Sequence, residues 1–247
     1  MNRELILLAS AIQFLTRLPI GTHCWDEDRL ARASRYFAVT GALVGAAAGT
    51  VWWIAGQHLP VAVASGLAIA TGVLISGALH EDGLADTADA LGGHVSREKA
   101  LEIMRDSRIG TYGAVAVILS LGLRWAALSA LAPSTGVLAL IASAATGRAL
   151  MVPATRIAGY ARPSGLGTLV EDGARWREVA FALATAAGFY LLLGFSALWA
   201  MLVASVAAWL IFRVQLRRLG GYTGDGLGAI AHLGETAALI TLAGLYA

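Results

Sequence analysis

Long apolar segments separated by short charged ones dominate the chain. Seven of them approach the roughly 20 residues that a helix needs to cross about 30 Å of hydrocarbon, and they cover residues 36–55, 61–79, 110–131, 136–154, 179–195, 197–212 and 227–246. The uncharged stretch from Val179 to Phe212 is too long for one crossing, so we place a tight helical hairpin near Gly194. Since backbone groups in lipid must be hydrogen-bonded within the chain, these runs predict helices rather than β-strands. The predicted fold is all-α: a polytopic integral membrane helical bundle of about seven transmembrane helices, in one membrane-embedded domain over residues 1–247.

The basic residues mark one side of this bundle. Fifteen of the 18 Lys and Arg residues fall within residues 17–35, 97–108, 156–177 and 213–218, whereas the alternate connections near 56–60, 132–135 and 194–197 carry none. Positive charge concentrates in the cytoplasmic loops of membrane proteins. The four basic segments, and nearly all the carboxylates with them, are therefore predicted to face the cytoplasm.

A shorter apolar stretch occupies residues 4–18. Polar side chains share one face of a helix there, opposite an apolar face: Arg3, Ser10, Gln13 and Arg17 against Ile6, Leu7 and Phe14. This favours an N-terminal amphipathic helix at the cytoplasmic membrane surface. A cleaved or a spanning segment is the alternative.

The composition agrees with a chain in a bilayer. Hydrophobic residues make up 57% and charged residues 14%, against about 25% charged in soluble domains. A net charge of +2 is too small to indicate a nucleic-acid partner, and a single cysteine excludes an intramolecular disulfide. The sequence leaves the oligomeric state open, a homo-oligomer included.

An acidic stripe is the strongest chemical signal. Asp82, Asp86 and Asp89 follow the spacing i, i+4 and i+7, which places three carboxylates on one face of a helix. Such charges repel one another unless a cation lies between them, and hard oxygen ligands favour Mg²⁺ or Mn²⁺. A metal site is the preferred interpretation, and a solvated acidic loop the alternative. His80, at the edge of the stripe, either tunes the site or is incidental.

Other charged residues are candidates because of their position. Asp106 could complete the metal shell and Arg108 could face phosphate oxygens, or both belong to a membrane-flanking loop. Arg148 and Glu235 lie inside predicted spans, where ionisable groups are costly and often functional; a structural ion pair between them is the alternative. Arg124 is expected to extend its side chain to the opposite membrane face.

Several stretches together resemble the cobalamin phosphate synthase (adenosylcobinamide-GDP ribazoletransferase) family. The most specific are the segment 80–93, which reads HEDGLADTADALGG, and the segment 106–113, which reads DSRIGTYG. The others, in the order of the family, are Arg35-Tyr36-Phe37 with Gly41 and Gly45, Arg148 with the segment 162–167, and the segment 220–229. Glu81 and His232 stand where the family pattern leads us to expect an apolar and an acidic residue, respectively.

The resemblance implies an enzyme of the bacterial cytoplasmic (inner) membrane that completes the nucleotide loop of cobalamin. It would transfer the cobinamide phosphate of adenosylcobinamide-GDP to α-ribazole or its 5'-phosphate, release GMP and require Mg²⁺, at an active site facing the cytoplasm. Site residues then follow as expectations: Asp82, Asp86 and Asp89 as catalytic residues and, with Asp106, as metal ligands; Arg35, Arg108, Arg148, Arg162, Gly224 and Asp225 for phosphate binding.

Three other functions use similar features. Intramembrane prenyltransferases also hold Mg²⁺-diphosphate with aspartates, but on two acidic motifs, and the second is thin here. Asp82-Gly83-Leu84-Ala85 is similar to the start of the CDP-alcohol phosphotransferase motif, without its downstream spacing. A cation transporter would show polar residues along several spans, whereas most spans here are uninterrupted Ala, Leu and Val.

Overall fold

A computed structural model describes residues 3–20, 27–162 and 173–247, and in these ranges the chain forms helices and no β-strand. The all-α prediction is therefore confirmed. The helices are α1 (Arg3–Leu15), α2 (Glu27–Ala33), α3 (Phe37–Gly56), α4 (Val61–Ser76), α5 (Leu79–Gly92), α6 (Arg97–Ile103), α7 (Thr111–Ser129), α8 (Pro133–Ile157), α9 (Trp176–Leu191), α10 (Leu198–Leu219) and α11 (Gly224–Tyr246).

Several of these helices can cross a membrane, which indicates a multi-pass membrane protein. Among the described residues, five helical segments are long and apolar enough: Arg29–Gly56, α7, α8, Phe195–Leu219 and α11. The pair α4 and α5 would make a sixth if it forms one broken span. The predicted count of seven is not confirmed, because α9 has only 16 residues, or about 24 Å at 1.5 Å per residue.

Two connections explain where helices end. The hairpin predicted near Gly194 is present between α9 and α10, and Gly194 adopts a φ of 110° that favours glycine. Between α4 and α5, Gly77 and Ala78 both adopt left-handed backbone conformations. These two residues turn the chain, and α5 leaves α4 at 87°. The acidic stripe therefore lies on a separate helix rather than at the end of a span.

Close helix contacts at small residues organise the core. Gly41 and Gly45 of α3 face the backbone of α8, where an added Cβ would collide with main-chain atoms. Helices α8 and α11 are the most buried of the candidate spans, whereas α7 and α10 are mostly exposed on their outer faces. Small residues let helix backbones approach where lipid supplies no hydrophobic drive for association.

The predicted N-terminal helix is present as α1. Its buried residues are Leu7, Ser10, Ala11 and Leu15, so Ser10 does not belong to the solvent-facing side on which the pattern placed it. The Ser10 hydroxyl instead donates to the carbonyl of Ile6 at 2.8 Å. A hydroxyl bonded within its own helix can be buried at little cost.

Candidate active site

Glycines bring the acidic helix α5 against the start of α11. A Cβ added to Gly83 would lie 2.7 Å from the carbonyl oxygen of Asp225 and 3.0 Å from the Cα of Gly228. No larger side chain fits between the two backbones at this crossing. The contact therefore joins two segments that lie about 140 residues apart in the sequence, and it places Asp225 beside the aspartates of α5.

Three carboxylates and one guanidinium lie near one another at this crossing. The negative charges of Asp82 and Asp225 both repel the half-buried carboxylate of Asp86, and Arg162 attracts it. The Arg162 side chain donates to Asp225 at 2.5 Å. Negative charge is in excess here, which is the electrostatic condition for attracting a cation.

The beginning of α11 adds backbone donors to this site. Thr223 caps the helix, and its hydroxyl accepts from the backbone N–H of Gly226 at 2.9 Å. Gly224, the first residue of α11, would meet no atom within 4 Å if it carried a Cβ, so space remains around it. A helix N-terminus with free N–H groups is a favourable place for phosphate oxygens.

Asp89 is engaged away from the other two aspartates of the stripe. Its two carboxylate oxygens accept from the backbone N–H groups of Gly110 and Gly113, at 2.7 and 2.8 Å. Asp89 therefore caps the N-terminus of α7, where the helix has no cap of its own. A Cβ at either glycine would collide with this carboxylate, so the two motifs 80–93 and 106–113 fit each other through this contact.

A cavity of about 450 Å³ opens at the crossing of α5 and α11. Four residues expected from the sequence line it: Asp82, Arg162, Gly224 and Asp225. His80, Phe37 and Gly228, which the sequence analysis also named, line it too, but most of the wall from α1, α8 and the segment after α8 was not expected from the sequence. These residues include Gln13, Phe14, Met151, Val152, Thr155 and Tyr160.

Comparison with known proteins identifies the family. The cobalamin-5-phosphate synthase family matches residues 7–243 of the chain. The chain belongs to this family. Similar relatives are named adenosylcobinamide-GDP ribazoletransferase: those of Bradyrhizobium diazoefficiens (44% identical, covering 96% of this chain and 92% of the relative), Ralstonia pickettii (40%; 97% and 94%) and Rhizobium meliloti (40%; 96% and 95%). No solved structure matches.

Parts of several motifs that resembled the family meet at this cavity. The segments 80–93 and 220–229 supply its acidic wall and the start of α11, and Arg162 follows α8. Of the motif 162–167, only Arg162 lies within the described residues. Family membership therefore agrees with a site assembled from distant parts of the chain.

Three other expected residues lie elsewhere in the structure. Asp106 pairs with Arg108 at 2.6 Å on the surface, and the Arg108 side chain is 87% exposed. A side-chain hydrogen bond from Arg108 lowers the pKa of Asp106 to about 2. Arg35 pairs with Glu178 at 2.7 Å and with Glu4 at 3.5 Å. None of these three residues lines the cavity.

Arg148 belongs to a buried charged cluster behind the cavity. Glu235 on α11 accepts one hydrogen bond from Arg148 and another from Arg124, and all three residues are at most 5% exposed. The ion pair between Arg148 and Glu235 is thus present. The expectation for Arg124 is wrong, because this residue turns inward to Glu235 and lies 3.8 Å from Glu81 instead of reaching the membrane surface. His232 completes the cluster 3.3 Å from Glu81.

Proposed function

We propose that this protein transfers the cobinamide phosphate of adenosylcobinamide-GDP to α-ribazole or its 5'-phosphate, with release of GMP. The proposal depends on one observation: the segments 80–93 and 220–229 and Arg162 line one cavity, with two aspartates, an arginine and a helix N-terminus. The relatives align with this chain over nearly their whole length, and their names describe this reaction. We also propose that the protein lies in the bacterial inner membrane with this cavity toward the cytoplasm, which the basic residues that flank the spans support.

The side chains at the crossing fit Mg²⁺. No group of three or more His, Cys, Asp or Glu residues in the described ranges is arranged to hold a metal ion. Mg²⁺ in phosphate-transfer sites is commonly held by one or two carboxylates, with substrate phosphates and water completing six ligands. Asp82 and Asp86, whose charges repel each other, are the carboxylates that we propose for this role. Ligation of the metal by Asp89 and Asp106 stays a prediction. In the structure, Asp89 binds the backbone of α7 and Asp106 pairs with Arg108.

Each group at the site has a distinct part in the transfer. A bound Mg²⁺ would neutralise negative charge on the diphosphate. Arg162 and the N–H groups at the start of α11 would bind phosphate oxygens. The ribose hydroxyl oxygen of ribazole forms a bond to the phosphorus next to cobinamide, and the bond between that phosphorus and the bridging oxygen breaks. GMP leaves with the bridging oxygen, and a carboxylate of the site takes the hydroxyl proton.

The test is release of GMP by the purified protein. With adenosylcobinamide-GDP and α-ribazole 5'-phosphate we expect Mg²⁺-dependent GMP formation, and loss of it in Asp82→Asn and Asp86→Asn while the yield in membranes is unchanged. Glu102→Gln is the matched control, because Glu102 is exposed and lies outside the cavity, in an ion pair with Lys99. Near wild-type turnover in either aspartate variant would remove the metal assignment.

The same experiment separates the alternative functions. A prenyltransferase would release diphosphate from a labelled prenyl substrate, and a cation transporter would carry ions into proteoliposomes without forming GMP. Either result, in the absence of GMP formation, would overturn the proposal.

A further inference from the structure

The wall of the cavity combines two kinds of surface. Asp82, Arg162 and Asp225 supply charge, and they account for the phosphate chemistry proposed above. The remaining wall has a polar part, which includes Gln13, Thr155 and Tyr160, and an apolar part, and apolar atoms dominate the accessible surface of the cavity as a whole. This apolar part comes from Phe14, Phe37, Leu79, Met151, Val152 and Leu227. A site that needed only to hold a diphosphate would not require it.

The size of the cavity limits what can enter. About 450 Å³ lies within the range of roughly 300–1,000 Å³ for sites that enclose one small organic molecule. A corrin ring that carries an adenosyl group and a GDP arm is much larger than a nucleoside. The donor substrate can therefore insert only its diphosphate or its guanosine end, whereas a nucleoside acceptor can enter entirely.

The chemistry of the wall favours the acceptor over guanosine. Guanine presents several donors and acceptors at its edges, and each would need a partner once removed from water. The base of α-ribazole is a dimethylated benzimidazole, which is apolar except for one ring nitrogen that accepts a hydrogen bond. Phe14 and Phe37, stacked with centroids 5.8 Å apart, offer apolar aromatic surface of the kind that suits such a base.

One buried polar residue of this wall has no hydrogen-bond partner among the described residues. His80 lines the cavity and is 2% exposed. Neither of its ring nitrogens has a hydrogen-bond partner in the described part of the chain. An unsatisfied buried donor or acceptor is unfavourable, and a neutral imidazole has one of each. A ligand with a single polar ring atom and a ribose would satisfy this residue.

We propose that the apolar part of this cavity binds the α-ribazole acceptor, with its benzimidazole against the wall formed by Phe14 and Phe37 and a hydrogen bond from His80. The inference rests on the proposed function and adds to it where the acceptor binds. Selection for this nucleoside would then come from the aromatic surface of Phe14 and Phe37 and from the contact with His80. The corrinoid remains outside the cavity.

The test compares KM for the two substrates. Phe14→Ala removes one ring from the wall, and we expect KM for α-ribazole to rise about tenfold while KM for adenosylcobinamide-GDP changes by less than about twofold. Phe181→Ala is the matched control, since it also removes one ring of an aromatic pair, with Tyr36, but lies outside the cavity. Leu79→Ala is a second variant at a position 41% exposed, where truncation is compatible with folding, and it should shift KM in the same direction.

The histidine contact is tested by a pair of substitutions. His80→Leu should raise KM for α-ribazole, and His80→Gln, which keeps a donor and an acceptor, should recover part of the loss. If His80 only packs against its neighbours, His80→Gln should raise KM for α-ribazole more than His80→Leu does. Alternatively, KM should change equally for both substrates.

Distinct results separate this inference from the proposed function. If the wild-type protein forms no GMP, the proposed function fails. If it forms GMP but Phe14→Ala and Leu79→Ala leave KM for α-ribazole unchanged, or raise KM for adenosylcobinamide-GDP equally, the acceptor does not bind against this wall and the inference is overturned.

Discussion

Replacing Glu235 by Gln removes a charge that two buried arginines share. The Glu235 carboxylate binds Arg124 of α7 and Arg148 of α8 from its position on α11, so it holds three helices together. Gln keeps the size of the side chain and one acceptor oxygen, but it leaves one positive charge without compensation. We therefore expect Glu235→Gln to destabilise the folded protein strongly.

The burial of the three residues sets the magnitude. Their side chains are 4 to 7% exposed, so water cannot solvate the charge that remains. Removing one partner from a buried ion pair typically costs about 3–5 kcal/mol. For a chain of this size, that corresponds to a fall of roughly 6–20 °C in the midpoint of thermal unfolding.

The measurement is thermal unfolding of the purified protein in detergent, next to Glu102→Gln. The Lys99–Glu102 pair has side chains 54 and 67% exposed, and an exposed pair of this kind contributes about 0–1 kcal/mol. The double variant Glu235→Gln/Arg148→Gln removes one charge of each sign and should recover part of the lost stability. A midpoint for Glu235→Gln equal to that of Glu102→Gln would refute the reasoning.

Two further predictions concern the contact between α5 and α7. Gly113→Ala would push a Cβ into the Asp89 carboxylate and should lower the free energy of unfolding by about 1–3 kcal/mol. The control Gly122→Ala, on the same helix, meets nothing within 4 Å and should be neutral or stabilising by up to about 1 kcal/mol. Equal unfolding midpoints for the two variants would contradict the close fit. Asp89→Ala should lower kcat more than Asp89→Asn, which keeps one acceptor for the N-terminus of α7, with the Mg²⁺ concentration for half-maximal activity unchanged in both. A raised Mg²⁺ concentration for half-maximal activity in either Asp89 variant would instead show that Asp89 is a ligand.

The helices were predictable because their signal is local. Apolar runs and charged connections predicted most helix boundaries to within a few residues. The hairpin was predictable because the uncharged stretch is too long for one crossing and contains Gly194. The number of membrane crossings was not predictable, because it depends on the length of α9 and on the bend after Ser76. That bend arises from two left-handed residues, one of them Ala78, and alanine carries no sequence signal for this conformation.

The site was predictable only in part, because its contacts join distant segments. The spacing of the acidic stripe places three carboxylates on one helical face, but it does not reveal that Asp89 is turned toward Gly110 and Gly113. Nor does any local pattern connect Phe14 of α1 with Asp225 of α11 across the same cavity. Such pairings depend on how helices pack, which the period of a single helix does not determine.

Two of the residues that depart from the expected family pattern, Glu81 and His232, belong to one feature in three dimensions. Taken separately, Glu81 adds an acid where an apolar residue is expected, and His232 removes one from a buried helix. In the structure these side chains are 3.3 Å apart, beside the pair formed by Arg124 and Glu235. Apart from the histidine, Glu81 and Glu235 supply two negative charges and Arg124 and Arg148 two positive ones, so these four residues balance. Because an unbalanced charge at this depth is costly, an acid on α5 can replace one on α11 only when both residues reach the same cluster.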